Sequence, residues 1–171
     1  YNKALDLGIK PDFKFYAARG SGFFSNNDMD AAVKDFDKAL QQKPTFIPIR
    51  QLRGCAYQNT GQYAAAVADF TEILRQQPEH FETYLQRGHA YLAKGDHSSA
   101  ISDFNHAIGL GRDHYEPYYG RARVYFNKNE YKQAFEDFNT AINLKPDVPD
   151  SYQYHGIIHM MNMKLDEAIA D

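Results

Sequence analysis

Small and aromatic side chains along this chain fall into short runs at helical spacing, broken by polar residues, and the runs recur. The pair Asp-Phe stands at Asp35-Phe36, Asp69-Phe70, Asp103-Phe104 and Asp137-Phe138, always 34 residues apart. Counting units from Phe13, Ile47, Phe81 and Tyr115 brings other positions into register. Position 8 is Gly20, Gly54, Gly88 and Ala122, and position 11 is Phe23, Tyr57, Tyr91 and Tyr125. Position 20 is Ala32, Ala66, Ala100 and Ala134; position 27 is Ala39, Ile73, Ala107 and Ala141. Positions 4, 8 and 11 share one face of a helix, as do 20, 24 and 27. Between them, position 15 carries Asn27, Gly61, Gly95 and Asn129, residues that tolerate the left-handed backbone of a tight turn. Position 32 is Pro44, Pro78, Arg112 and Pro146, and proline ends a helix. Each unit therefore predicts two antiparallel helices packed closely where the small residues meet.

The boundaries follow from the register. Complete units span 13–46, 47–80, 81–114 and 115–148. A truncated fifth, 149–171, keeps Tyr152, Gly156 and Ala168 in place, and 1–12 reads as the tail of a preceding second helix with its turn. All of these belong to one domain, a fragment of a longer array.

This pattern resembles the tetratricopeptide repeat, whose unit is 34 residues long, and the resemblance covers essentially the whole chain. It implies an all-α fold, a right-handed superhelical solenoid of antiparallel helix hairpins, with first helices lining a concave groove and second helices outside. The departures are Arg50 for an aromatic at position 4, Ala122 for glycine at position 8 and Arg112 for proline at position 32. The resemblance implies a protein-interaction scaffold that is not an enzyme.

Position 7 repeats arginine: Arg19, Arg53, Arg87 and Arg121, with His155 in the fifth unit. Such a stripe could bind phosphate. However, position 23 is Asp35, Asp69, Asp103 and Asp137, and both positions flank the packed faces, so a structural ion pair in each unit is the better reading. His155 and His159 stand four apart, as metal ligands can on a helix. They occupy seam or core slots, and no metal is expected. Gly20-Ser21-Gly22 lacks the strand, third glycine and lysine of a phosphate loop. Cys55 has no motif around it. No catalytic residue, cofactor or metal site is expected.

Positions 2, 5, 6, 9, 12 and 13 face away from the partner helix. The groove candidates there are Phe24, Gln51, Gln58, Asn59, Glu82, Gln86, His89, Glu116, Tyr119, Arg123, Phe126, Asn127, Asp150 and Tyr154. Family members that clamp the carboxylate tail of chaperones place Lys, Asn and Arg at set positions. This chain has Ala17, Ser21, Leu52, Glu82 and Gln86 in the first such window, so that mode is not expected. An asparagine ladder at position 6 is absent as well. Glu82, Glu116 and Asp150 at position 2 suit either a basic and apolar partner segment or the start of a helix, where the dipole favours acids.

Composition sharpens the exclusions. The 171 residues carry 19 basic and 22 acidic side chains, a formal charge of −3, with a pI near 6.2. That balance argues against nucleic acid as partner. No run approaches the roughly 18 apolar residues of a membrane span, and no signal peptide opens the chain, so membrane insertion is not expected and a cytoplasmic location is the default. The partner expected is a protein or peptide segment. Incomplete end units also imply end-to-end self-association. Two other roles fit the same residues: a structural spacer without peptide ligand, or a regulatory domain of a larger enzyme.

Overall fold

The computed structural model describes residues 11–147 and, beyond them, Tyr152, Gln153, Gly156, Ile157 and His159. Residues 1–10 of the expected preceding tail (1–12), the second helix of unit five, and the candidates Asp150 and Tyr154 lie outside the described residues. Residues 11–147 form eight helices and no strand. They are α1 (Phe13–Ser25), α2 (Met29–Gln42), α3 (Ile47–Asn59), α4 (Tyr63–Gln76), α5 (Phe81–Lys94), α6 (His97–Leu110), α7 (Glu116–Asn127) and α8 (Tyr131–Leu144).

Aspartates start several helices. Asp12, Asp28 and Asp96 accept backbone N–H bonds from Phe15, Ala31 and Ser99, satisfying donors that a first turn leaves free. The hairpin turns share one device: Asn27, Gly61, Gly95 and Asn129 all have φ between 60° and 84°. Helices pair as α1/α2, α3/α4, α5/α6 and α7/α8, and each second helix packs on the first helix of the next pair. First helices of successive pairs also touch one another, which gathers α1, α3, α5 and α7 on one side of the stack. The architecture is an all-α helical repeat solenoid.

The core repeats with the unit. Phe36, Phe70, Phe104 and Phe138 are fully buried. A Cβ added at Gly20, Gly54 or Gly88 would sit 2.8, 2.7 or 2.9 Å from the ring of the phenylalanine in its own unit. Glycine is thus the residue that lets the ring lie against the first helix. In the fourth unit Ala122 occupies this place and is fully buried with Phe138. Units are sealed to each other through positions 3 and 10: Ile49 joins the first core, Ala90 the second and Val124 the third. Phe104 is held from both sides, because a Cβ on Gly120 of the next unit would lie 2.5 Å from its ring. Gly120 is therefore a packing residue, although its helical position is a groove position.

The recurring arginines close the seam. Arg19, Arg53, Arg87 and Arg121 each give two hydrogen bonds to the aspartate sixteen residues on, Nε to Oδ2 and Nη2 to Oδ1, at 2.6–2.8 Å. The aspartates are buried. Tyr84 and Tyr91 flank the Arg87 guanidinium at 5.7 and 5.8 Å, and Tyr118 and Tyr125 flank Arg121. The aromatics of positions 4 and 11 are therefore half-buried walls around a cation. At position 4 of the second unit, Arg50 puts Nη1 on Asp69 at 2.9 Å, so that carboxylate holds two arginines. The remaining nitrogen, Nη1 of the seam arginine, reaches back one unit: Arg53 to Asp37, Arg87 to Thr71, Arg121 to Asn105. One side chain thus ties the two helices of its hairpin and binds that hairpin to the one before.

Candidate functional site

With positions 4, 7, 8 and 11 consumed by the seam and core, the side on which α1, α3, α5 and α7 gather is left with positions 2, 5, 6, 9, 12 and 13, except where Gly120 packs on Phe104. The structure distributes the candidates over it unevenly. Phe24 packs on the first core cluster, and Tyr119 and Phe126 pack on the fourth, so these rings are half-buried and contribute their edges. Gln51 accepts a hydrogen bond from the Thr83 hydroxyl at 3.2 Å. Asn127 is exposed.

Five of the candidates converge. Gln58, Asn59, Gln86, His89 and Arg123 line one hollow of about 390 Å³, together with Tyr63, Leu92 and Ala93. The helical register explains the meeting. Positions 12 and 13 of α3 come beside positions 6 and 9 of α5, and position 9 of α7 closes the far side. Gln58 Nε2 donates to the backbone carbonyl of Gln86 at 3.0 Å, fixing the amide across the α3–α5 junction. His89 sets its ring edge-on to Phe104, centroids 5.1 Å apart. Burial, and then the charge of Arg123, push the His89 pKa down to about 4, so the imidazole is neutral at neutral pH. Tyr63 begins a second helix, and a helical wheel of the first helices alone does not include it. Its place at the rim comes from the hairpin turn.

Arg123 differs from the seam arginines. Arg19, Arg50, Arg53, Arg75, Arg87 and Arg121 each hold a carboxylate. Among the described residues no carboxylate pairs with Arg123, whose guanidinium lies 5.8 Å from the Tyr119 ring. The acids of position 2 stand elsewhere, at the N-terminal ends of α5 and α7. Glu82 lies 3.5 Å from His80 Nδ1, and Glu116 lies 3.9 Å from His114 Nδ1. Glu116 Oε2 is shielded from solvent and finds no hydrogen-bond donor among the described residues. Seven residues at 1.5 Å each put Arg123 about 10 Å along α7 from Glu116.

Among the described residues no cluster of three or more His, Cys, Asp or Glu could hold a metal ion, and no helix is long and apolar enough to cross a membrane. Cys55 packs beside the second core cluster, where burial raises its thiol pKa.

Comparison with known proteins agrees with this geometry. Sequence profiles described as Tetratricopeptide repeat match residues 13–46, 52–115 and 85–152. No curated protein matches the chain. Among solved structures, the chain is similar to a crystal structure of MamA protein at 23% identity and TM-score 0.81, over 92% of this chain and 86% of that one. It is also similar to MamA 41-end from Desulfovibrio magneticus RS-1, at 18% identity and TM-score 0.82, over 92% and 89%. A third is TTC0263, a thermophilic TPR protein of Thermus thermophilus, at 20% identity and TM-score 0.69, over 92% and 87%. At these identities the likeness is one of fold. The matched profiles and the four hairpins together place the chain in the tetratricopeptide repeat family.

Proposed function

We propose that the chain is a protein-interaction scaffold that captures a partner segment on the concave face of α1, α3, α5 and α7, without chemistry of its own. The units 13–46, 47–80, 81–114 and 115–148, continued through 149–171, act in this reading as one binding domain. The observation that carries it is the hollow between α3, α5 and α7. There the Asn59 amide and the Arg123 guanidinium line the hollow beside a half-buried His89 ring, on helices whose opposite faces are locked by buried ion pairs and glycine–phenylalanine contacts. A rigid frame presenting unspent hydrogen-bonding groups suits recognition, since little ordering cost remains on the protein side. The acids Glu82 and Glu116 give one edge of the groove a negative rim that favours basic and apolar residues in the partner, and Asp150 holds the same unit position in the sequence.

A capture experiment tests this reading. Immobilised protein is compared with a groove variant, Gln58→Ala/Asn59→Ala/Arg123→Gln, and with an outer-face variant, Ala64→Lys/Ala68→Lys, on the exposed side of α4. The groove variant should lose its partner while the outer-face variant keeps it. Equal capture by both variants would put the partner outside the groove, and no capture by the wild-type protein would favour the spacer role.

A further inference from the structure

We infer that the hollow between α3, α5 and α7 accepts an acidic side chain of the partner, whose carboxylate pairs with Arg123; this rests on the groove reading above. The argument begins with what the protein does with its other half-buried arginines. Those of the seam lie over a carboxylate at 2.6–2.8 Å, and Arg50 shares one of them. Arg123 is also half-buried, yet it lines an open hollow and no described carboxylate neutralises it. A partly desolvated guanidinium gains most from a charge-assisted, two-pronged bond to a planar anion.

The neighbours of Arg123 suit one carboxylate. His89 beside it is neutral, so the hollow carries a single positive charge. Asn59, whose Nδ2 also lies 3.9 Å from Met29 Sδ, brings an amide donor to the same rim, and Gln58 adds the second hydrogen of the Nε2 that donates to the Gln86 carbonyl. Leu92 and Ala93 give the aliphatic stem of a glutamate or aspartate an apolar wall. A second cation, which a phosphate dianion would demand, is missing from the lining.

An internal side chain fits better than a chain terminus. The hollow opens along the groove between the second and fourth units, so a bound segment passes through it toward α1 on one side. Glu82 stands in the same groove, where a clamp for a terminal carboxylate would need a cation. Glu116 and Arg123, about 10 Å apart along α7, then favour a partner carrying both a basic and an acidic side chain, and they fix which flank each occupies.

Selection from a phage-displayed library of random peptides, joined to the coat protein at their C-termini, tests the assignment on the intact chain. Wild-type protein should enrich peptides with Asp or Glu at one fixed place, and Arg123→Gln should keep the rest of the consensus while losing the acid. Arg123→Glu should select Lys or Arg at that place. Synthetic copies of an enriched peptide should bind Arg123→Gln roughly tenfold or more weakly, and should bind wild type equally with free or amidated C-termini. Groove-binding peptides without an acid preference, or an acid preference unmoved by Arg123→Gln, would overturn the assignment alone. So would binding that requires the free C-terminus. No enrichment at all, or enriched peptides that photo-crosslink to α4 or α6 and not to α3 or α5, would overturn the groove reading and the assignment with it. Circular dichroism of both variants checks that the helices persist.

Discussion

Arg87 and Asp103 meet through two parallel hydrogen bonds, Nε to Oδ2 at 2.8 Å and Nη2 to Oδ1 at 2.7 Å, with the carboxylate side chain only 4% exposed. The hydrogen bond to Asp103 raises the Arg87 pKa above its ordinary value. Removing either partner strands the other in a desolvated seam. Arg87→Ala and Asp103→Ala should therefore each destabilise the array by about 3 kcal/mol, well above the worth of a surface pair. The double variant should lose much less than the sum. A denaturant double-mutant cycle checks this, and coupling below about 0.3 kcal/mol would contradict a paired seam.

Phe104 occupies a slot between Gly88 and Gly120, and Gly109 lies on the same helix as Phe104 with nothing near its missing Cβ. Gly120→Ala should cost about 1–3 kcal/mol, because its methyl would overlap the ring from the next unit. Gly109→Ala should stabilise by about 0.5–1 kcal/mol, since alanine restricts the unfolded chain and favours helix. Thermal melts of the two variants should move in opposite directions.

The four repeats, their hairpins and the seam pairs were legible in the residues because each depends on one residue type returning at one position. The inter-unit bond of the seam arginines was not. Its acceptors, Asp37, Thr71 and Asn105, share a register position and a side-chain oxygen but no residue type. Gly120 misled in another way. Helical spacing assigns position 6 to the groove, yet the Phe104 ring of the unit before fills that space. Among the candidate groove residues, spacing alone could not separate rings that lean on the core, such as Phe24 and Tyr119, from polar groups that converge on the hollow. That separation depends on how neighbouring units are offset.

His89 supplies a pH test. Its folded pKa of about 4 lies below the ordinary 6.5, because burial and Arg123 disfavour the imidazolium. The unfolded chain therefore binds the extra proton first as pH falls through 6.5. Stability from this group is fully present above pH 6.5 and is lost progressively down to about pH 4, amounting to on the order of 2–3 kcal/mol. Besides Arg123, the residues that line the hollow with His89 are Gln58, Asn59, Tyr63, Gln86, Leu92 and Ala93, with Phe104 against its ring, and none of them is a carboxylate or a second histidine. His89→Gln should flatten the wild-type loss between pH 7 and 4.5, read as the difference in urea midpoints. Parallel curves for the two proteins would contradict it.

The acidic rim is tested by Glu82→Lys/Glu116→Lys. Both acids stand in first turns, so each reversal should cost roughly 0.3–1 kcal/mol of helix stability through the macrodipole. A basic partner segment should bind more weakly to the variant, and its wild-type binding should fall with salt while the variant's changes less. Unchanged affinity and salt response would make these acids helix-terminal charges only.

The most direct test of the account is photo-crosslinking from chosen positions on the folded protein. A benzophenone side chain placed at Asn59, on the rim of the hollow, should yield crosslinks to a bound partner segment, and the same group at Ala68, on the exposed face of α4, should yield none. Crosslinks from Ala68 without crosslinks from Asn59 would show that partners ride on the outer helices, and would contradict the concave face as the binding surface.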